Sequence, residues 1–291
     1  MIIGASGLLG AKLVQIALER GHQVFAAYKD HPPTLGSPIP LDVTDEISVR
    51  KIVSQIRPHV IVNTAALTDV DKCEVYPQLA RDLNSTCVEY LSRASNEYSS
   101  FLVQISTDSV FDGTSGNYSE NDRPHPINQY GHTKLAGEEA AKTSGEGRWS
   151  VARTSVLYGW GRPQRPNAAT YIGDSLSKGQ KIFMVTDQYS SPTLNTNLAR
   201  MVVEISERQL PGIIHAAGAT RLSRYDFALK LANMLKLEKR LILPTESESI
   251  KWKAKRPLDS SLQVSRATSQ LASQPLEIDA AFSQFSLEKP A

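Results

Sequence analysis

Two side chains in the segment YGHTK (130–134) have a spacing that suits proton transfer. Tyr130 and Lys134 are four residues apart, and on a helix this spacing puts both side chains on one face. A lysine ammonium next to a tyrosine favours the phenolate and lowers the pKa of the phenol. Such a tyrosine can exchange a proton with a carbonyl or an alcohol near neutral pH. The same pattern arises by chance in many chains, so an ordinary surface helix is the alternative.

A hydroxyl group could join this pair from a neighbouring strand. Thr107, in STDSVFDG (106–113), follows the apolar run FLVQIS, which is typical of a buried strand. Open α/β sheets bind their ligands at the carboxyl ends of parallel strands. Thr107 could therefore hydrogen-bond the same oxygen atom that receives a proton from Tyr130. No side chain can supply a hydride, so a reduction at this place would need a nicotinamide cofactor.

Three glycines follow the first apolar run, in GASGLLG (4–10). Gly4, Gly7 and Gly10 lack a Cβ, which permits a tight turn and a close approach of a diphosphate to the amides at a helix N-terminus. The spacing is GxxGxxG rather than GxGxxG, and a plain glycine turn is the alternative. The position at the first strand-to-helix junction favours a dinucleotide site.

The residues after the second predicted strand bear on the choice of cofactor. Lys29 stands where an NAD site usually carries the acidic residue for the ribose 2′-hydroxyl, and Asp30 comes one or two positions late. Lys29 could face a 2′-phosphate, which favours NADPH and leaves NADH usable; a solvated loop lysine is the equal alternative. Further on, Thr44 or Asp45 fits a helix N-cap better than Asp42 does, which leaves Asp42 available for a ligand.

The pattern of the whole chain predicts the elements that would position these residues. Near-continuous apolar runs at 1–3, 22–28, 59–63, 101–106, 149–157 and 212–216 predict strands. Amphipathic segments at 11–20, 46–57, 77–98, 128–142, 194–208 and 224–236 predict helices. This alternation indicates an α/β fold with a Rossmann-type, doubly wound parallel sheet whose two faces are covered by helices.

The second half of the chain departs from that pattern. Residues 158–193 are rich in Gly, Pro, Asn and Gln and predict loops with one short helix. We expect residues 1–157 and about 194–218 to form the dinucleotide-binding domain. Residues about 158–193 and 219–291 would form a smaller, discontinuous α/β lobe that binds the substrate.

Composition excludes several other classes of protein. The chain has 291 residues, 41% of them hydrophobic and 21% charged, with a net charge of +2. Such a balance gives no reason to expect nucleic acid or a membrane surface as a partner, and no apolar stretch reaches transmembrane length. Two cysteines, Cys73 and Cys87, fit a reducing, cytoplasmic setting. Asp69 and Asp71 are interpreted as loop carboxylates rather than a metal pair, so no metal is predicted.

Several longer stretches give the chain a family resemblance. It resembles the extended short-chain dehydrogenase/reductases, and within them the dTDP-4-dehydrorhamnose reductase (RmlD-like) family. The matching stretches extend to about Ser261, and they are GASGLLG, LDVTD, NTAALTDVDKCE, STDSVFDGTSGNYSENDRPHPINQYGHTKLAGE, RTSVLYG, DQYSSPT and RPLDSS.

The resemblance implies roles for individual residues. It implies cofactor contacts at the glycine loop and along the strand ends: Gly4, Ser6, Gly7, Leu8, Leu9, Asp42, Val43, Ala65, Ala66, Asn84 and Ser106. The position and spacing of Gly10, Lys29, Tyr130 and Lys134 add these four to the expected cofactor contacts. It implies catalytic roles for Thr107, Tyr130 and Lys134, and an adenine contact for Asp42. Substrate contacts are expected from Thr107, Asp108, Ser109, Val156 and Arg256. Arginine forks suit a diphosphate, for which Arg256 is the stronger candidate; Arg153 could instead be a structural ion-pair partner.

Three departures from the family pattern concern the sugar and the first strand. Ser109 replaces the tyrosine of STDYVFDG, and Val156 stands where RTSWVYG has its tryptophan. Both lost aromatics belong to the sugar-recognition side of the family's site. The first strand is short for the family, and we expect it to pair weakly.

The resemblance therefore implies an NADPH-preferring reductase that acts on the 4-keto group of a nucleotide-linked deoxysugar, with Tyr130 as the proton donor. A homodimer is one assembly that it allows. The alternative is a non-catalytic, dinucleotide-binding regulatory subunit that resembles the methionine adenosyltransferase beta subunit.

Overall fold

A computed structural model of the chain describes residues 1–161 and 166–290. Its strands are β1 (Ile2–Ile3), β2 (Phe25–Tyr28), β3 (Ser37–Pro40), β4 (Val60–Asn63), β5 (Phe101–Thr107), β6 (Trp149–Thr154), β7 (Leu157–Tyr158), β8 (Ile182–Val185), β9 (Tyr189–Ser190), β10 (Thr193–Leu194), β11 (Gly212–His215), β12 (Leu222–Ser223) and β13 (Ile242–Thr245). Its α-helices are α1 (Leu8–Glu19), α2 (Glu46–Ile56), α3 (Val70–Val75), α4 (Pro77–Arg81), α5 (Cys87–Glu97), α6 (Gln129–Lys142), α7 (Ala168–Ser177), α8 (Asn195–Glu207), α9 (Arg224–Met234), α10 (Ser265–Gln270) and α11 (Ile278–Leu287).

Seven parallel strands form the central sheet, in the order β11-β6-β5-β4-β1-β2-β3. Successive residues of each strand point to opposite faces. Ile2 and Val103 therefore pack against α1 and α8 on one side, while Ile3 and Leu102 pack against α2, α5 and α6 on the other. The predicted fold class, a doubly wound parallel α/β sheet, is confirmed.

The first strand lies in the middle of the sheet, and the weakness of its pairing stays a prediction. β1 is only two residues long, yet it lies inside the sheet with a hydrogen-bonded neighbour on each side. Ile2 pairs with Ala26 of β2 and with Val62 of β4. The strand order reverses at β1, and a ligand crevice forms at the carboxyl ends of the strands beside such a reversal.

Other predicted bounds also changed. The helix predicted at 77–98 is present at 77–97, where α4 continues through a π-helical turn at Asp82–Thr86 into α5. The predicted strand 22–28 begins only at Phe25, because Gly21 (φ +84°) and a bond from the His22 N–H to Ala17 O complete the end of α1. The predicted strand 149–157 ends at Thr154, just before Val156 with its positive φ of 33°. β3 was not predicted, since its sequence SPIP has two prolines.

The second half of the chain has a core of its own. Aromatic side chains meet in it edge to face, with the buried Tyr158 ring 5.2 Å from Phe227 and 5.8 Å from Phe282. Around it lie α7, α9, α11 and the parallel pair β8–β13. Residues 158–193, predicted as loops with one short helix, also carry β8, β9 and the start of β10; residues 162–165 of this stretch lie outside the described part. The domain bounds themselves stay a prediction.

In the described part of the chain, no helix is both long enough and apolar enough to cross a membrane.

Candidate active site

The glycine segment forms a turn that has no room for side chains. Gly4 has φ +73°, and a Cβ there would lie 2.8 Å from Thr64 Oγ1. A Cβ on Gly10 would lie 2.1 Å from Gly4 O, and one on Gly7 would lie 3.2 Å from the same oxygen. Gly7 is the N-cap of α1 and offers no side-chain cap. The first N–H groups of this helix are therefore available to an anion, which fits the diphosphate of a dinucleotide.

The two leucines in the first turn of α1 differ in burial. Leu9 is buried in the core that packs on the sheet, so only its backbone could meet a cofactor, whereas Leu8 is half-buried. Ser6, in the turn itself, donates its hydroxyl hydrogen to the carbonyl of His31. The turn is thereby tied to the loop after β2, where Lys29 lies.

Lys29 and Asp42 form an exposed ion pair with each other, and the adenine contact of Asp42 stays a prediction. Lys29 Nζ lies 2.7 Å from Asp42 Oδ2, and the side chains are 57% and 38% exposed. The hydrogen bond from Lys29 is the main cause that lowers the pKa of Asp42 to about 2. Thr44 adds hydrogen bonds to Asp42 from its N–H and its hydroxyl. The N-cap of α2 is Asp45, which accepts from the Ile47 N–H, and Val43 is buried beside it.

The loop after β4 is held by two buried asparagines. Asn63 Oδ1 accepts from the Ala65 N–H at 3.1 Å, and Ala66 beside it is half-buried. Asn84, on the π-helical turn, accepts from the Leu67 N–H at 2.8 Å and donates to Leu67 O at 3.1 Å. Asn84 is fully buried and holds this loop through its hydrogen bonds to Leu67. A direct contact of Asn84 with a cofactor stays a prediction.

Two glycines allow helix α6, which carries Tyr130 and Lys134, to pack closely against the segments beside it. A Cβ on Gly131 would lie 2.2 Å from Ser109 O, and one on Gly137 would lie 2.2 Å from Asn84 O. The N-cap of the helix is Asn128, whose Oδ1 accepts from the Gly131 N–H. The glycine inside YGHTK therefore allows the helix to approach the segment after β5.

Lys134 is buried, and no carboxylate forms an ion pair with it among the described residues. Its Nζ donates to Ile105 O at 2.7 Å, two residues before Thr107. Burial lowers the pKa of Lys134 to about 8, and the nearby Cys87, Glu138 and Cys73 raise it by smaller amounts. Tyr130, half-buried, shares its helix face.

Ile105 O also accepts a second hydrogen bond, from the side chain of Gln104. The distance from Gln104 Nε2 is 2.9 Å, and Gln104 Oε1 accepts from Asn63 Nδ2 at 2.8 Å. A buried polar chain thus runs from Lys134 through β5 to the loop after β4. Sequence reasoning missed it, because Asn63 and Gln104 meet only through the pairing of β4 with β5.

Ser106 and Arg153 belong to a buried ion-pair cluster. Arg153 binds Glu138 through two hydrogen bonds of 2.9 and 2.7 Å, with side chains 1% and 0% exposed. The Ser106 hydroxyl donates to Glu138 Oε1 at 2.5 Å. Arg153 is therefore a structural ion-pair partner rather than a diphosphate ligand, and the hydroxyl of Ser106 is bound to Glu138, while a cofactor contact of Ser106 stays a prediction.

The expected sugar contacts after β5 and β6 occupy different environments. Ser109 is half-buried, while Asp108 is 6% exposed and has both carboxylate oxygens occupied by hydroxyl groups. Val156 has φ 33°, which is unusual for a β-branched residue. Asp108 is thus placed behind Thr107 instead of on the surface that a sugar would touch.

Two arginines stand near this end of the crevice. Arg256 Nη2 pairs with Asp71 Oδ1 at 3.1 Å, and Asp71 also accepts from the Lys253 and Ala254 N–H groups. Arg224, the exposed first residue of α9, was not predicted; partial desolvation and then the positive charge of Arg256 lower its pKa. Two cations that repel each other suit a dianionic ligand.

The carboxylates considered for a metal are engaged elsewhere. Asp69 is the N-cap of α3 and accepts from the Lys72 N–H, while Asp71 binds Arg256. In residues 1–161 and 166–290, no three His, Cys, Asp or Glu side chains come together as a metal site.

Comparison with known proteins gives consistent matches along the chain. The family model described as RmlD substrate binding domain matches residues 1–287. A dTDP-4-dehydrorhamnose reductase of Streptomyces griseus is 32% identical, over 91% of this chain and 86% of its own. The methionine adenosyltransferase 2 subunit beta of Xenopus laevis is also 32% identical, over 86% of this chain and 76% of its own.

A solved structure extends these matches to three dimensions. It is the dTDP-4-dehydrorhamnose reductase from Bacillus anthracis in complex with NADP, with a TM-score of 0.85 and 30% identity over 99% of this chain and 98% of that one. These relatives confirm the prediction of an NAD(P)-dependent oxidoreductase of the extended short-chain class.

Proposed function

Since this chain belongs to the RmlD substrate binding domain family, we propose that it reduces the 4-keto group of a nucleotide-linked deoxysugar, with NADPH preferred over NADH. The observation that carries the proposal is the buried Lys134, which shares a helix face with Tyr130 and reaches Ile105 O beside Thr107. A buried ammonium without a carboxylate partner destabilises the fold. The position of Lys134 beside Tyr130 supports a role in lowering the pKa of the Tyr130 phenol.

The residues of the chain would divide the reaction among them. The cofactor, when bound, supplies the hydride. The turn at Gly4, Gly7 and Gly10 would hold its diphosphate, for which the exposed helix amides are suited. Tyr130 would donate the proton to the carbonyl oxygen, and Thr107 would hydrogen-bond that oxygen. Lys134 would stabilise the tyrosinate that the proton transfer leaves behind.

The preference for NADPH rests on Lys29. Its ammonium stands at the end of β2, where a 2′-phosphate would lie. In the structure Asp42 already neutralises part of this charge at 2.7 Å. A 2′-phosphate would have to share Lys29 with Asp42, so we expect the preference to be modest and NADH to remain usable.

For the sugar nucleotide, Arg256 and Arg224 are the groups that could bind a diphosphate. The sugar itself would lie among Thr107, Ser109 and Val156, which are smaller than the aromatics expected at two of these positions. We propose a cytoplasmic location, because Cys73 and Cys87 are both in the thiol form. We also propose that the protein assembles as a homodimer. Residues 1–157 with about 194–218 would bind the cofactor, and the remainder the sugar nucleotide.

A second function is a regulatory, dinucleotide-binding subunit without turnover. The relatives named methionine adenosyltransferase 2 subunit beta favour it, because they match at the same identity as a reductase does. Either protein would keep the glycine turn.

Steady-state oxidation of NADPH by the purified protein distinguishes the two. The substrates are dTDP-4-dehydrorhamnose and dTDP-4-keto-6-deoxyglucose, each with NADPH and with NADH. We expect turnover that depends on the sugar nucleotide and a lower KM for NADPH. Tight binding of NADPH without turnover on either sugar, together with a stable protein partner, would favour the regulatory subunit.

A further inference from the structure

Asp108 is a buried acid directly beside a proposed catalytic hydroxyl. Its side chain is 6% exposed, and no lysine or arginine forms an ion pair with it among the described residues. Burial raises the pKa of Asp108. Hydroxyl groups and the charge of Arg224 on α9 lower it by smaller amounts. A carboxyl group in such a place tends toward its neutral form, which can donate a hydrogen bond.

The partners of Asp108 show which of its oxygens could carry the proton. Oδ2 is an acceptor: Ser155 lies 2.6 Å from it and Ser260 lies 2.7 Å from it. Ser155 donates to Asp108 Oδ2, while its own oxygen accepts from the Ser191 N–H at 3.2 Å. Oδ1 has only the longer contacts, to Thr107 at 3.0 Å and Ser109 at 3.5 Å. A proton on Oδ1 would therefore lie next to Thr107.

The hydrogen-bond capacity of Thr107 makes this proton important. A threonine hydroxyl has one hydrogen and two lone pairs. The Ser109 N–H takes one lone pair, at 3.1 Å. If Asp108 is ionised, it attracts the single hydrogen of Thr107, since hydrogen bonds to a charged acceptor are roughly twice as strong as neutral ones. Thr107 would then meet a substrate carbonyl with a lone pair, which repels it.

We propose that Asp108 is a positioning residue for the carbonyl reduction: in its protonated form it donates to Thr107 Oγ1, and this turns the Thr107 hydroxyl hydrogen toward the substrate oxygen. The inference rests on the proposed function. Asp108 keeps its proton during the reaction. The hydride comes from the nicotinamide, and the proton on the product alcohol comes from Tyr130.

The pH dependence of kcat/KM tests this role, with NADPH and dTDP-4-dehydrorhamnose as substrates. The wild-type rate is expected to fall about ten-fold per pH unit once Asp108 ionises. Asp108→Asn supplies an N–H to Thr107 and cannot ionise, so its activity is expected to extend to higher pH, up to the limit that Tyr130 sets. The proposal would be overturned if kcat/KM of Asp108→Asn fell at the same alkaline pH as that of the wild type. A loss of kcat/KM of more than about a hundred-fold at every pH would overturn it as well.

Ser260→Ala is a second variant that leaves Asp108 and Thr107 in place. It removes a hydrogen bond that stabilises the ionised carboxylate, so the alkaline limb should move up by about half to one pH unit. A merely structural role of Ser260 would lower the rate without moving the limb. In a Thr107→Val background, Asp108→Asn should have no effect on the profile.

Titration of the carboxyl group itself is independent of turnover. The carbon resonance of Asp108 in protein labelled with ¹³C-aspartate, identified by its loss in Asp108→Asn, should titrate well above the ordinary aspartate pKa of about 3.9. Titration at or below that value would refute the role of Asp108. Absence of turnover with a raised titration would instead count against the proposed function alone.

Discussion

The two ends of the proposed cofactor crevice hold their charges in opposite ways. At the reaction end, Arg153 and Glu138 are 1% and 0% exposed and are bound to each other by two hydrogen bonds. At the adenosine end, Lys29 and Asp42 form an ion pair of similar length, but 57% and 38% of their side chains are exposed. A buried pair fixes the geometry before any ligand arrives, whereas an exposed pair is weak and can rearrange around one.

This contrast indicates that the reaction end holds a fixed geometry, whereas the end near Lys29 can adapt to different cofactors. The groups around Lys134 are packed, neutral or paired, so small changes there should alter rate and stability strongly. The groups around Lys29 face water, so changes there should alter the preference for a cofactor with little effect on the fold. Four substitutions test the contrast.

Tyr130→Phe should have the largest effect, because it removes the proton donor from the reaction end. We expect kcat to fall by about 10²–10⁴-fold, with the affinity for NADPH unchanged within about three-fold. Stopped-flow reduction and fluorescence titration of NADPH measure the two quantities. Tyr171→Phe, an exposed tyrosine on α7, is the matched control and should retain the wild-type rate. Wild-type kcat in the Tyr130→Phe enzyme would remove Tyr130 from the mechanism.

Glu138→Ala should destabilise the fold by about 3–5 kcal/mol, since it leaves Arg153 buried without a partner charge. Urea unfolding followed by circular dichroism measures the free energy of unfolding. The control is Glu97→Ala, which breaks an exposed ion pair to Arg50 and should cost less than about 1 kcal/mol. Equal losses for the two variants would contradict the difference between buried and exposed pairs.

Lys134→Met should abolish turnover yet stabilise the fold by about 2 kcal/mol at pH 7, because it removes a buried charge. The folded pKa of Lys134, about 8, lies below the unfolded value of about 10.4. Between these values the unfolded chain binds more protons, so wild-type stability should rise with pH and the advantage of the Lys134→Met variant should shrink.

The measurement is the free energy of unfolding from pH 7 to pH 10. Lys142→Met, at the last residue of the same helix and with a side chain 34% exposed, should change stability by less than about 0.5 kcal/mol. A Lys134→Met protein that is less stable than wild type at pH 7 would show that the ammonium stabilises the fold.

Lys29→Asp should have the smallest effect on the fold and a specific one on binding. It replaces the cation at the end of β2 with an acid that can accept from a ribose 2′-hydroxyl. We expect the ratio of NADPH to NADH affinity to fall by about ten-fold, with stability lowered by less than about 1 kcal/mol. Titration of both cofactors measures the ratio, and Lys51→Asp on α2 is the surface control. An unchanged ratio would refute the role of Lys29 in the choice of cofactor.

The sequence was sufficient for residues whose partners are close along the chain. The four-residue spacing of Tyr130 and Lys134, and the glycines at a strand-to-helix junction, follow from helix geometry and from the lack of a Cβ. It also predicted every strand of the central sheet except β3, because buried parallel strands are continuous apolar runs. β3 was not predicted, because its two prolines argue against a strand, although prolines are tolerated in an edge strand such as this one.

Partners that are distant along the chain could not be predicted. The sequence leaves two roles open for Arg153, and only the packing of β6 against α6 brings it to Glu138. Lys29 and Asp42 were assigned to separate ligand groups, although the pairing of β2 with β3 brings their loops together. The family resemblance implies a sugar contact for Asp108, yet hydrogen bonds from Ser155 and Ser260, both distant along the chain, hold its carboxylate.

Transfer of a labelled hydride tests the central claim most directly. The purified protein is incubated with NADPH that carries deuterium at the transferable C4 position and with dTDP-4-dehydrorhamnose, and the product is examined by mass spectrometry and NMR. The account predicts one deuterium at C4 of the sugar in the wild type and in Lys29→Asp, and almost none in Tyr130→Phe. Saturated binding of both ligands without deuterium in the sugar would contradict it.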